Sequence, residues 1–187
     1  MPDTISFSQE ISNLLYAAEG EPFRSCIQCG TCSGTCPVAP YMDHTSRQII
    51  AMINLGMKEE VLDSNTFWYC ASCYHCTVRC PQYINITGLM YALKRYSIWK
   101  GQHQEGLIGP TYSEAFVKNI VRTGRMFEPI LAPSYIFTLN LREILMEAQG
   151  ATVMLLKGRL ALLPPRIKRL ENFKRMLGRV IPMGGLE

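Results

Sequence analysis

The chain has 187 residues, 48% of them apolar and 18% charged, with a formal charge of +4 at neutral pH. That length holds one compact domain with an extension, or two small domains. The composition excludes a disordered chain, and the charge is too mild to argue for nucleic acid.

Charge is unevenly spread. From Lys157 onward there are eight Lys/Arg and two Asp/Glu, whereas the preceding 156 residues hold eleven and thirteen. A basic tail on a slightly acidic body points to a docking surface or to a solvated face. The opening residues, "MPDTISFSQE", have neither a basic stretch nor an apolar core, so no secretory signal is read there. The longest apolar attempt, "ATVMLLKGRLALL" (Ala151–Leu163), is broken by Lys157 and Arg159 and falls short of the roughly eighteen residues a bilayer requires. The chain is therefore expected to be cytoplasmic. In a reducing compartment eight cysteines serve metal rather than disulfides.

Helical signals dominate, and period-2 strand patterns are missing, so the fold is expected to be all-α. "SQEISNLLYAAEG" sets Ile11, Leu14, Leu15 and Ala18 on one face, with Gly20 as the stop. "TSRQIIAMINLGM" sets Ile49, Ile50, Ile53 and Met57 in a stripe, capped by Thr45 or Ser46. "NITGLMYALKRYSIWKG" aligns Leu89, Leu93 and Tyr96, with Thr87 as cap and Gly101 as stop. A glycine- and proline-rich linker is predicted around Gly101–Pro110. Beyond it, helices are predicted in "SEAFVKNIVRTG", capped by Ser113 and ended by Gly124, and in "LNLREILMEAQG". After Pro164-Pro165 a basic amphipathic helix places Ile167, Leu170, Phe173 and Leu177 on one side, with Arg166, Lys168, Arg169, Lys174 and Arg175 supplying charge. Such a helix packs on its own chain or on a partner, or touches a membrane surface. The expected domains are 1–105 and a helical, basic extension over 106–187.

The chemistry lies in "CIQCGTCSGTCP" (Cys26–Pro37) and, forty-four positions on, "CASCYHCTVRCP" (Cys70–Pro81). Each comb spaces its cysteines by three, three and four and closes on proline, so the chain is an internal repeat with approximate twofold symmetry. A 4Fe–4S cubane offers four iron corners, each wanting one thiolate. Three cysteines at i, i+3 and i+6 wrap three corners of one face. In the two-cluster bacterial pattern the fourth cysteine serves the other cluster. The predicted ligand sets are therefore crossed: Cys26, Cys29, Cys32 and Cys80 for cluster 1, and Cys70, Cys73, Cys76 and Cys36 for cluster 2. Pro37 and Pro81 turn the chain away after each swapped ligand. Structural zinc takes two Cys-x-x-Cys pairs rather than three cysteines in one tight loop, and fits worse.

Between the cysteines the combs differ. The first is small and flexible (Gly30, Thr31, Ser33, Gly34); the second carries Tyr74, His75 and Arg79. Arg79 and protonated His75 either raise the potential of the nearer cluster or face water. With all eight cysteines used, His44, His75 and His103 are assigned no metal. Trp68, Tyr69 and Tyr74 are expected to wall a cluster off from water, and the ten methionines to fill the core. No G-x-G-x-x-G follows a strand and no catalytic constellation stands out. No catalytic residue is assigned, and alone the chain is expected to be a wire.

The two combs with the helix "INITGLMYALKR" resemble the C subunit of heterodisulfide reductase and its relatives, within the α-helical ferredoxin group, over about residues 5–105. The resemblance implies two 4Fe–4S clusters on the eight cysteines named above. It also implies an electron-transfer role between a flavin-bearing subunit and a catalytic subunit with Cys-Cys-Gly repeats. This chain has no adjacent cysteine pair and is not that catalytic subunit. In methanogen members the substrate is the mixed disulfide of coenzymes M and B; other members serve other sulfur substrates. The alternatives are the iron–sulfur subunit of a quinone-linked membrane dehydrogenase and a free ferredoxin-type carrier. The basic tail then either clasps this chain's own body or binds an acidic partner.

Overall fold

Ser6 opens the chain's first helix because its hydroxyl accepts the Gln9 N–H that the helix start leaves without a partner, at 3.3 Å. In the computed structural model, which describes residues 6–15, 22–104, 106–129, 131, 141–159, 163, 164 and 167–180, that helix is α1, Phe7–Leu14. The expected stop at Gly20 lies outside the described residues. Two compact units follow one another, Met1–Glu105 and Gly106–Met183. Every regular element among the described residues is helical, and the fold is all-α.

In the first unit, short helices α2 (Thr31–Gly34), α4 (Lys58–Leu62), α5 (Thr66–Tyr69) and α6 (His75–Val78) surround two longer ones, α3 (Ser46–Leu55) and α7 (Ile86–Lys100). The apolar stripes predicted for the longer helices are its core. Ile49, Ile50 and Ile53 of α3 and Leu89, Leu93 and Tyr96 of α7 are buried with Ile11 of α1. Fully burying one such aliphatic side chain contributes about 1.5–3 kcal/mol, so this layer dominates the unit's stability. Met90 is buried and Met52 packs against the core, whereas Met146, Met154 and Met176 of the second unit are exposed, against the expectation of an all-core role.

Two polar devices fix the layers. Gln48 Oε1 accepts from both the N–H and the hydroxyl of Thr45, at 2.8 and 2.9 Å, holding the start of α3. Glu10 of α1 accepts from the Tyr96 hydroxyl of α7 at 2.5 Å and from Lys58 of α4 at 3.3 Å. This joins three helices at one carboxylate. The Tyr96 hydroxyl, followed by Lys58, holds the Glu10 carboxyl below its ordinary value, while burial pushes the Tyr96 hydroxyl up.

α7 begins differently from the prediction. Its N-cap is Asn85, whose Oδ1 accepts the Gly88 N–H at 2.9 Å, and Thr87 sits inside the helix and is buried. An asparagine two residues earlier outcompetes the threonine because its carbonyl oxygen reaches the free N–H.

In the second unit, α8 spans Ile108–Thr123 and α9 spans Leu141–Leu156. Helix α10 spans Leu170–Val180. α8 starts five residues before the predicted Ser113 cap, because Pro110 falls in its first turn, where no N–H partner is needed. α9 runs through Gly150 to Leu156, past the predicted end. Asn119 clamps the returning chain: its Nδ2 donates to Phe127 O at 2.7 Å and its Oδ1 accepts from Phe127 N at 3.2 Å. Ile167, Leu170, Phe173 and Leu177 are half-buried, whereas Lys168, Arg169, Lys174 and Arg175 are exposed, which is the predicted amphipathic split. Arg166 and Pro165 lie outside the described residues. Among the described residues no helix is long and apolar enough to cross a membrane.

Candidate metal centre

Each comb builds a loop of one shape. In the first, Gln28 and Gly30 have φ of 58° and 80°; in the second, Ser72 and Tyr74, forty-four positions on, have φ of 54° and 62°. Two positive-φ residues separated by a single cysteine curl the chain tightly, and each curl runs into a one-turn helix, α2 or α6. Glycine adopts this geometry freely at Gly30. Tyr74 adopts it at a cost of about 1–2 kcal/mol, so the loop shape rather than residue preference decides the conformation.

The curls lie against two concavities of nearly equal size, with about 330 and 360 Å³ of atom-free space including their open mouths. The first is lined by Cys26, Cys29 and Cys32 together with Cys80; the second is lined by Cys70, Cys73 and Cys76 together with Cys36. Each concavity thus gathers three sulfurs of one comb and the last of the other. Helices α2 and α6 pack on one another, which carries Cys36 and Cys80 across. The helix that follows each comb closes the wall. Arg47 and Ile50 of α3 line the first concavity, and Thr87 and Met90 line the second from matching positions of α7. The offset between those helices is forty rather than forty-four, because the loop after Pro81 is shorter than the loop after Pro37.

Laced hydrogen bonds hold the loop after the first comb to the approach to the second. Asp43 N donates to Asn65 Oδ1 and Asn65 N to Asp43 Oδ2, both at 2.9 Å. The buried Thr66 hydroxyl accepts from His44 N at 3.0 Å and donates to His44 O at 2.6 Å. His44 enters the structure through its backbone here.

Exposure repeats with the same symmetry. Cys29 and Cys73 are exposed, and the others are half-buried except Cys32, which is buried. Burial pushes the Cys32 and Cys76 thiols up, whereas the Thr31 hydroxyl, 3.4 Å away, brings the Cys29 thiol down. Gln28 Nε2 lies 3.3 Å from Cys26 Sγ, Ser33 Oγ 3.9 Å from Cys32 Sγ, and Thr87 Oγ1 3.8 Å from Cys76 Sγ.

The donor set fits a 4Fe–4S cubane in each concavity. Four thiols face walls that are otherwise mostly apolar, such as Ile50, Ile84 and Ile86 in the first and Val38, Met42 and Met90 in the second. Among the described residues no three His, Cys, Asp or Glu side chains group closely enough to grip one metal ion.

Several residues singled out in the sequence stand elsewhere. His75 and Arg79 are exposed and line neither concavity. Trp68 packs against the core, while Tyr69 and Tyr74 are about half exposed and only Tyr74 lines a concavity. The residues sequence reasoning missed are Arg47, Gln28 and Thr87. The only signal for Arg47 and Thr87 was their shared place one residue inside a helix that follows a comb.

Comparison with known proteins gives two findings. Residues 22–84 match the 4Fe-4S dicluster domain family. The chain is 31% identical over 119 residues to the C subunit of the H(2):CoB-CoM heterodisulfide,ferredoxin reductase of Methanothermobacter marburgensis, covering 64% of this chain and 61% of that protein. It is 35% identical over 114 residues to the C subunit of the ferredoxin/F(420)H(2)-dependent CoB-CoM heterodisulfide reductase of Methanosarcina acetivorans, covering 61% and 65%. To the iron-sulfur C subunit of the CoB–CoM heterodisulfide reductase of Methanopyrus kandleri it is 33% identical over 99 residues, covering 51% and 52%. The match spans about three-fifths of the length of two of the curated relatives, 61% in each of the Methanothermobacter proteins. The resemblance to the C-subunit family of heterodisulfide reductases holds on these findings.

Proposed function

We propose that this chain, which resembles the C subunit of heterodisulfide reductase and carries a 4Fe-4S dicluster domain over residues 22–84, is an electron-relay subunit of a heterodisulfide reductase-like complex. It holds two 4Fe–4S clusters, one on Cys26, Cys29, Cys32 and Cys80 and one on Cys70, Cys73, Cys76 and Cys36. The observation that carries this reading is the exchange of the last cysteine between the two concavities.

A bound cubane supplies one-electron storage without an open iron for substrate. The chain's residues do the rest. Ile50, Ile84, Ile86 and Met90 keep water from the buried side of each site. Cys32 in α2 and Cys36 just beyond its C-cap line different concavities, so the two sites are near neighbours. The exposed Cys29 and Cys73 leave one edge of each site open to a partner. The chain then relays electrons between a flavin-bearing subunit and a catalytic Cys-Cys-Gly-type subunit, and the basic tail serves as a docking region.

Anaerobic purification of the native chain, with mass spectrometry of what accompanies it, tests this reading. A Cys-Cys-Gly-rich subunit and a flavoprotein are expected. Isolation with a quinone-linked membrane enzyme, or alone, contradicts it.

A further inference from the structure

The two concavities share a backbone but differ in what surrounds the sulfurs. Around the first, three cysteines have a side-chain donor. Gln28 gives one amide hydrogen to Cys26 Sγ (3.3 Å) and the other to the Arg47 carbonyl (3.4 Å), so its nitrogen is held toward the sulfur. Thr31 reaches Cys29 (3.4 Å) and Ser33 reaches Cys32 (3.9 Å). Ser33 Oγ also accepts the Arg47 N–H at 3.3 Å, which leaves its own hydrogen for the sulfur. A metal-bound thiolate can only accept, so every one of these groups is then the donor.

Arg47 adds a full charge. It lines the first concavity, and a Cβ placed on Gly30 would stand 3.8 Å from Arg47 Cδ and 3.9 Å from Nε, so the arginine lies across the loop between Cys29 and Cys32. Around the second concavity, the hydroxyls of Thr87 and Thr77 both reach the same sulfur, that of Cys76, so one cysteine rather than three has side-chain donors among the described residues. Thr87 occupies the helix position that Arg47 has in the first half, and Ser72 and His75 stand where Gln28 and Thr31 do. Lys94 donates to the Cys70 carbonyl at 3.3 Å and does not line the concavity.

Donors to cluster sulfurs and nearby cations stabilise the added electron and raise the reduction potential. We infer that the cluster of the first comb has the higher potential, so that one electron given to the oxidised pair resides there, and that Arg47 and Gln28 are the positioning residues that set the difference. The inference rests on the dicluster reading above.

The test uses the full-length chain, reconstituted anaerobically with iron and sulfide and titrated with dithionite while EPR follows each reduced cluster. Two separated midpoints are expected. Arg47→Met lowers the upper midpoint alone, by about tenfold in the reduced-to-oxidised ratio at fixed potential, which is 59 mV for one electron. Arg47→Lys restores most of that shift, and Gln28→Leu lowers the same midpoint by less. Thr87→Val lowers only the lower midpoint. The inference is overturned if both first-comb variants leave the upper midpoint in place, or if Arg47→Met moves the lower one. An iron content near four rather than about eight per chain would instead bring down the dicluster reading itself.

Discussion

Replacing Tyr96 by Phe removes one oxygen and leaves the buried ring in place, so it isolates the bond that ties α7 to α1. The hydroxyl donates to Glu10 Oε2 at 2.5 Å, and Glu10 keeps Lys58 at 3.3 Å. A hydrogen bond to a charged group contributes about 1.5–3 kcal/mol. The Glu10 side chain is 32% exposed, so water partly replaces the lost donor and about 1–2 kcal/mol is expected. For a chain of this size that is a fall in Tm of about 2–8 °C. The assay is anaerobic thermal unfolding of the cluster-loaded protein, followed by circular dichroism and by cluster absorbance together. The Glu10 carboxyl lies below its ordinary value of 4.5, first through Tyr96 and then through Lys58. The contribution is therefore complete above pH 4.5 and is lost as pH falls through the lowered folded value. The difference between wild type and Tyr96→Phe should shrink correspondingly in acid. A double-mutant cycle with Glu10→Gln that returned no coupling would refute the reasoning.

Thr66→Val leaves the His44 N–H and carbonyl without their partner and should cost about 2 kcal/mol. Denaturant unfolding with an unchanged midpoint would count against the lacing. Gly124 has φ +76°, and a Cβ there would stand 2.5 Å from Ile167 side-chain atoms. Gly124→Ala should therefore cost about 2–4 kcal/mol from backbone strain and overpacking. Hydrogen exchange in α8 should report the loss, and unchanged protection would contradict it. Because burial raises the Cys32 and Cys76 thiols above the ordinary value of 9.0, cluster assembly must displace protons from them. Reconstitution should be slower at about pH 6.5 than at about pH 8.5; equal rates would contradict this.

The combs, the apolar stripes of α3 and α7 and the closing glycines at Gly101 and Gly124 were legible because each rests on short-range chemistry. Sulfur spacing, helical period and chain reversal are written within a dozen residues. Arg47 and Thr87 were hidden because their equivalence appears only once α3 and α7 are aligned by their N-caps. Loops of different length separate each helix from its comb. The Asn85 cap was missed for a local reason: both Asn85 and Thr87 can cap, and the backbone turn before Ile86 selects the first. Tyr74 gives no sign in sequence of its left-handed backbone, since the curl imposes it. Arg79 and His75 stand at opposite ends of α6, where their side chains are exposed and line neither concavity, a placement that nearness along the chain does not give.

Crossed ligation is tested most directly by iron counts in two double variants. Cys29→Ala disables the cluster of the first comb. If the sets are crossed, adding Cys80→Ala removes a second ligand of that same cluster, and about four irons per chain remain on the second comb. Adding Cys36→Ala instead disables the second cluster too, and almost no iron remains. The reverse pattern, with iron retained in the Cys36 variant and lost in the Cys80 variant, would mean that each comb keeps its own fourth cysteine and would contradict crossed ligation.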